Sequence, residues 1–239
     1  MSIIDADSIF GAWPKKNLDL SVGTLLANMK SNGIEKSVVI SAKGIFYSHD
    51  EGNAETLKVC AEHKELIPAA TINPRGIAPG NNLSKTLKKQ GFKFIRFFPD
   101  HQGWPVEYSP FIDLLDEIEG TGLPIMFPCN GLGLSTVLLR IIGKKKIKVV
   151  IGSTGYAHLS EVLSVMKKNK DFYVISKLHN TPDGIEQFVK HCGAERVLFG
   201  SGQPVEYIGN SLEVIKNANI SKADRAKILG SNTAKILKI

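Results

Sequence analysis

The sequence predicts an α/β protein, a closed (β/α)8 or TIM barrel, and three observations predict it. Short apolar runs rich in Val, Ile and Phe alternate with longer amphipathic segments, and the alternation repeats eight times. The 239 residues come close to the roughly 250 that eight βα units occupy. Twenty-two Gly and eleven Pro lie scattered with no low-complexity tract, as many short connections require. An open doubly wound sheet rarely needs eight parallel strands, which favours closure.

The strands expected in order are residues 2–7, 36–41, 66–72, 92–97, 124–129, 147–152, 172–177 and 196–201, each a short run rich in β-branched and aromatic residues. Helices between them begin at plausible caps, Asp50, Ser109 and Asp183, and the last two of these end at Gly120 and Gly193. From Ser221 onward, SKADRAKILGSNTAKILKI reads as a short helix, a break near Gly230 and a terminal helix on the outside of the barrel. This is the C-terminal helical extension. With no linker in sight, residues 1–239 are expected to form one domain.

A composition of 43% hydrophobic and 22% charged residues can supply a full core and excludes a disordered chain. No apolar run approaches the roughly 18 residues needed to cross a bilayer, and the first segment carries acids where a signal peptide wants lysines. No membrane association and a cytoplasmic location are expected. Three cysteines without CxxC spacing fit a reducing compartment and predict no disulfide framework.

The net charge of +7 rests on 30 basic residues, only five of them arginine. The densest run, Lys144 to Lys146 with Lys148, has no interleaved aromatic, so it reads as a solvated turn and no nucleic acid is expected. A homo-oligomer is left open.

Three segments share a pattern. Residues 4 to 11 keep the frame Ile-Asp-x-His-x-His-x-Gly, residues 198 to 204 (LFGSGQP) follow Leu-Phe-Gly-Ser-Asp-x-Pro, and residues 228 to 237 (ILGSNTAKIL) follow Leu-Gly-x-Asn-Ala-x-x-Leu. In these segments the chain resembles the amidohydrolase superfamily, in its amidohydrolase-related branch of decarboxylases and lactone hydrolases. The resemblance implies a barrel whose metal is held by two histidines on the first strand, one after the fifth, one after the sixth, and an aspartate on the eighth. Here those positions read Asp7, Ile9, Pro128, Ser153 and Gly202. Only Asp7 is a strong ligand, so the metal site is expected to be lost, with no cofactor in its place.

Barrel active sites lie at the C-terminal ends of the strands. His63 and His191 close helices, where an imidazole suits the dipole. His49, His101, His158 and His179 fall on the functional face, but none has His-x-His or HExxH spacing. Asp7 is either a working base or hydrogen-bonded to a neighbouring strand. Arg96, inside an apolar strand, must reach solvent, a carboxylate such as Asp7 or Asp100, or an anionic ligand. Cys129 reads as a buried small hydrophobe rather than a nucleophile, and the GLGLST turn after it as a tight turn or a set of N–H groups for an anion. Aromatic residues in the same loops, Trp13, Phe46, Tyr47, Phe98, Tyr156 and Tyr207 among them, form either a lid or the rim of a pocket.

The expected function is a metal-independent hydrolase of lactones or esters, or a decarboxylase, acting on a small anionic organic substrate. Arg96, with Lys43 or Arg75, holds the anionic group. Asn73, Asn130, Ser153 and Gln203 orient it, and Asp7, His101 or His179 moves a proton. The alternative is a catalytically silent relative that binds a metabolite or a protein partner.

Overall fold

The computed structural model describes residues 2–14, 17–78, 80–177 and 181–239. Eight strands, β1 (Ile4–Phe10), β2 (Lys36–Ser41), β3 (Leu66–Thr71), β4 (Phe94–Arg96), β5 (Ile125–Pro128), β6 (Val149–Gly152), β7 (Phe172–Ile175) and β8 (Val197–Leu198), form one parallel sheet in sequence order. The sheet closes on itself. Ala6 N donates to Phe199 O at 2.9 Å, Gly202 N to Asp7 O at 2.8 Å and Ile9 N to Gln203 O at 3.0 Å, joining β1 to β8 and the segment after it. The protein is therefore a (β/α)8 barrel.

Twelve α-helices are present among the described residues: α1 (Val22–Ser31), α2 (Ala42–Phe46), α3 (His49–Glu62), α4 (Leu83–Lys89), α5 (Pro99–Gln102), α6 (Ser109–Glu119), α7 (Leu134–Ile142), α8 (Leu159–Lys168), α9 (Gly184–Cys192), α10 (Ile208–Asn217), α11 (Lys222–Ala226) and α12 (Asn232–Leu237). None is long and apolar enough to cross a membrane. Outward-facing strand residues such as Val39, Ile95, Ile125, Val149 and Val174 pack against the buried faces of the longer helices. Inward-facing residues, including Ala6, Val38, Phe94, Met126, Val150, Ile175 and Leu198, form a second core within the barrel.

Several boundaries differ from the sequence reading. β1 runs beyond the expected residues 2–7 to Phe10, because its pairing with β2 and with residue 203 continues past the polar Asp7 and Ser8. β8 shortens to two residues, since the chain after Leu198 turns through Gly202 at φ +73° and bonds to β1 out of regular register. The cap of α3 is Ser48, whose Oγ accepts from Glu51 N at 3.3 Å, while Asp50 lies in the first turn, where its charge complements the helix dipole. Tyr108 rather than Ser109 precedes α6. Asp183, Gly193 and Ser221 bound their helices as expected.

There is no break at Gly230. A wide helical turn, Lys227–Ser231, leads directly into α12. Gly230 is required there by close approach, for a Cβ would lie 2.2 Å from Ser2 O. Asn232 donates to Ala194 O at 2.7 Å and Val197 O at 2.8 Å, tying the segment to the start of β8. Ile236 and Leu237 join the inner core beside Ile4, so α12 closes the N-terminal end of the barrel instead of lying on its outer wall.

Candidate functional site

At the C-terminal end of the barrel, Asp7 and Ile9 from β1, Arg96 from β4, Met126 and Pro128 from β5 and Lys177 after β7 face one cavity of about 100 Å³. Trp13, Phe98, Asp100, His101, Asn130 and Ser153 form its upper wall.

The floor is charged. Arg96 donates from Nη2 to the Asp7 carboxylate and from Nη1 to Ser8 O at 2.8 Å, and both side chains are almost wholly buried. Lys177 Nζ stands 3.5 Å from the other Asp7 oxygen with its side chain 14% exposed. Burial alone would raise the Asp7 carboxyl, but the Arg96 guanidinium and the Lys177 ammonium outweigh it and hold the group below the usual carboxylate range. Two cations thus share one carboxylate. Arg96 Nε is buried without a hydrogen-bond partner among the described residues, and the guanidinium carbon lies 5.3 Å from the centre of the Phe98 ring.

Higher up, the His101 ring on α5 packs edge-on against Trp13, with centroids 5.3 Å apart, and tilted against Phe46 at 5.2 Å. Asn130 Nδ2 donates to Asp100 Oδ2 at 2.9 Å. Trp13 and Phe98 belong to the cavity wall, whereas Tyr47, Tyr156 and Tyr207 stand out into solvent.

The residues anticipated from sequence divide accordingly. Asp7, Arg96, His101, Asn130 and Ser153 are brought together. Lys43 instead pairs with Glu51 at 3.6 Å. Asn73 accepts from Arg75 N at 3.1 Å, and Arg75 Nη1 donates to Gln102 O at 3.1 Å; both line a separate, open polar depression beside His101. Gln203 is fully buried at the barrel seam and donates to Asp5 Oδ2 at 3.1 Å, so it does not reach the cavity. His179 lies outside the described residues.

Two weaker sequence candidates also resolve. The glycine-rich turn before α7 does bind an anion, but the anion is the protein's own Glu161, which accepts from Gly133 N at 2.9 Å and Thr136 N at 2.8 Å. Cys129 is buried, and burial pushes its thiol far above the ordinary range, which leaves it without the thiolate a nucleophile needs.

A residue that sequence reasoning left without a role is Lys177. A Cβ placed on Gly202 would fall 2.6 Å from Lys177 Cε and 2.7 Å from Nζ. A side chain at position 202 and the extended Lys177 side chain therefore compete for one space. The available signal was the glycine standing where the pattern has an acid.

A family model described as amidohydrolase matches residues 17–239. The chain belongs to the amidohydrolase family. No curated protein matches it in sequence. Among solved structures, this amidohydrolase-family barrel is similar to 5-carboxyvanillate decarboxylase from Sphingomonas paucimobilis, at 14% identity and TM-score 0.80 over 100% of this chain and 99% of the other. It is similar to 2,6-dihydroxybenzoate decarboxylase from Rhizobium at 16% identity and TM-score 0.78, over 99% and 98% of the two chains. It also resembles a protein described as a 2-pyrone-4,6-dicarboxylic acid hydrolase from Pseudomonas putida, at 15% identity and TM-score 0.76, over 99% and 97%. At these identities the likeness is one of fold.

The metal that the family pattern implies does not suit the residues present. Asp7, Ile9, Pro128 and Ser153 do converge on the cavity, but two are apolar, and the single carboxylate is already neutralised by Arg96 and Lys177. Among the described residues, no group of three or more His, Cys, Asp or Glu could hold an ion.

Proposed function

We propose that this amidohydrolase-family barrel decarboxylates a small anionic organic substrate without a metal. The observation that carries the reading is the floor of the cavity, where Arg96 and Lys177 face one buried carboxylate, Asp7, while the cavity's other acid, Asp100, stands exposed on the upper wall and is hydrogen-bonded to Asn130. An excess positive charge out of water is costly until an anion completes it. The free space of about 100 Å³ selects a small molecule.

Decarboxylation and lactone or ester hydrolysis both develop negative charge on an oxygen, which a fixed cation stabilises. Hydrolysis also needs a base able to activate water. Asp7, kept ionised by two cations, is a weak base and serves as the counter-ion that fixes Arg96 and Lys177. Decarboxylation makes the smaller demand. With a hydroxylated aromatic acid, a proton goes first to the ring carbon that bears the carboxylate, drawn by electron density from a neighbouring phenolic oxygen. The bond to the carboxylate then breaks, its electron pair restores the aromatic ring, and CO2 leaves. His101, on the cavity wall, is the donor in this reading, with His179 the other candidate; Asn130 and Ser153 orient the substrate. The decarboxylases of like fold are named for small aromatic carboxylates, which supports the substrate class.

The test is CO2 release from 2,6-dihydroxybenzoate, 5-carboxyvanillate and short oxo acids by protein dialysed against a chelator. Turnover should persist in chelator and fall by roughly 10²- to 10⁴-fold in His101→Gln. Release that appears only on adding a divalent metal would overturn the reading. So would saturable binding without release, the behaviour of a catalytically silent barrel that binds a metabolite.

A further inference from the structure

Resting on that reading of the cavity, we infer that Lys177 is a ligand-binding residue whose ammonium takes a carboxylate oxygen in the space that the family pattern gives to an acid at position 202. Three observations carry this. Lys177 leaves the end of β7 into the cavity and fills the volume that any side chain on Gly202 would need, with 2.6 Å between that Cβ and Lys177 Cε. An acid at 202 and an extended lysine at 177 cannot coexist without forming a pair, and the sequence has the lysine with the acid removed.

Secondly, Asp7 does not use up the ammonium. Nζ meets Oδ2 at 3.5 Å, longer than the roughly 2.7–2.9 Å of a strong charge-assisted hydrogen bond, and an ammonium carries three donors, of which Asp7 takes one. Arg96 already satisfies Asp7 from the other side, so a lysine needed only as counter-ion would be redundant. Thirdly, the same cluster has a buried donor with no acceptor among the described residues, Arg96 Nε. Setting aside the exposed Asp100 higher on the wall, the buried floor holds two cations and one carboxylate, and so is one anion short on both charge and hydrogen-bond grounds. An ion of two oxygens matches it, and a carboxylate is the small organic group that supplies two.

Oxalate is the probe, with neutral oxamide as its isosteric control. Binding is read from the indole N–H resonance of Trp13 on the cavity wall, against that of Trp104, which bonds Gln102 Oε1 at 3.1 Å away from the cavity. Oxalate should shift Trp13 saturably and Trp104 little, and oxamide should shift neither. Lys177→Met should weaken oxalate by roughly tenfold to a hundredfold, the loss of one charged hydrogen bond, and Lys177→Arg should restore most of it. Gly202→Asp, tolerable because Asp adopts positive φ more readily than most residues, should abolish binding by pairing with Lys177. Where Lys177→Met does not fold cooperatively, Lys177→Gln replaces it. Unchanged oxalate affinity without Lys177, or no saturable Trp13 shift, would overturn the inference. Lys177-dependent oxalate binding without turnover of any substrate would uphold it and sink the decarboxylase reading alone. Turnover with Lys177-independent binding would do the reverse.

Discussion

Asp5 and Ser201, 196 residues apart, are joined by two hydrogen bonds across the seam of the barrel, from Ser201 N to one carboxylate oxygen at 3.0 Å and from Ser201 Oγ to the other. Asp7 N at 3.0 Å, Ser8 Oγ at 3.1 Å and Gln203 Nε2 at 3.1 Å donate to the same buried carboxyl. The group is the clasp between the first strand and the last. Asp5→Ala leaves several buried donors without an acceptor, and at about 1–3 kcal/mol each it should destabilise the protein by roughly 3 kcal/mol or more. Ser201→Ala, which keeps the acceptor, should cost about 1 kcal/mol. Urea unfolding of the two variants decides it, and equal losses would mean that the seam does not depend on Asp5.

Gly52 on α3 packs so closely on Gly44 of α2 that a Cβ at position 52 would lie 2.1 Å from Gly44 N and 2.2 Å from its Cα. Both clashing atoms are backbone and cannot swing aside. Alanine is the better helix former by about 1 kcal/mol, yet Gly52→Ala should lower stability by about 2–3 kcal/mol through overpacking. Gly209 on α10 is the control, since a Cβ there meets nothing within 4 Å. Gly209→Ala should raise the melting temperature slightly, by the roughly 0.4–1 kcal/mol of reduced unfolded-state entropy.

The order and number of strands were legible because the barrel alternates apolar runs with amphipathic ones, and residues 36–41 matched the ladder of β2 end to end. Elsewhere the apolar run outlasted the strand. Phe97, Cys129 and Phe199 are buried and each still shares a backbone hydrogen bond with the neighbouring strand, but the regular ladder ends before them, and hydrophobicity reports burial, not ladder register. β1 erred in the other direction, since Asp7 and Ser8 read as a strand end although their polar groups are satisfied inside. Within the site, Asp7 and Arg96 stood out as charges inside apolar strands. Lys43, Arg75 and Gln203 sat on suitable loops, but loop position does not say which way a side chain turns. Lys177 was hidden because its role depends on an absence, the missing side chain of Gly202.

The thiols test the burial directly. Burial pushes Cys60 up to about 12 and raises Cys192, while Cys129 lies higher still. Each unit lowers the thiolate fraction tenfold, so Cys60 in the folded protein should react with iodoacetamide roughly a thousandfold more slowly than free cysteine at neutral pH. Mass spectrometry should find little modification before urea is added and three sites after. Rapid labelling of Cys129 in the folded state would contradict its enclosure behind β5.

Asp7 should give stability an acid limb of known sign. Its folded carboxyl is held below the usual range by Arg96 and Lys177, against the opposing effect of burial. The unfolded chain binds the proton first, near the ordinary value of about 3.9, so the contribution is fully present above that pH. It is lost progressively as the pH falls below about 4 toward the folded value, since stability rises with pH wherever the unfolded state holds more protons. In Asp7→Asn this limb should flatten, and because two buried cations then face no carboxylate, the protein at pH 7 should lose about 3–5 kcal/mol. Adding Arg96→Met to Asp7→Asn should recover part of that loss, because one uncompensated charge leaves the interior. Unfolding curves at pH 7 and across pH 5 to 3 test both points. A wild-type acid limb surviving in Asp7→Asn would mean that Asp7 is not its source, and Asp5 could not replace it, because burial raises the Asp5 carboxyl and gives it the opposite sign; a double variant no more stable than the single one would mean that the cost at the floor of the cavity is not one of charge.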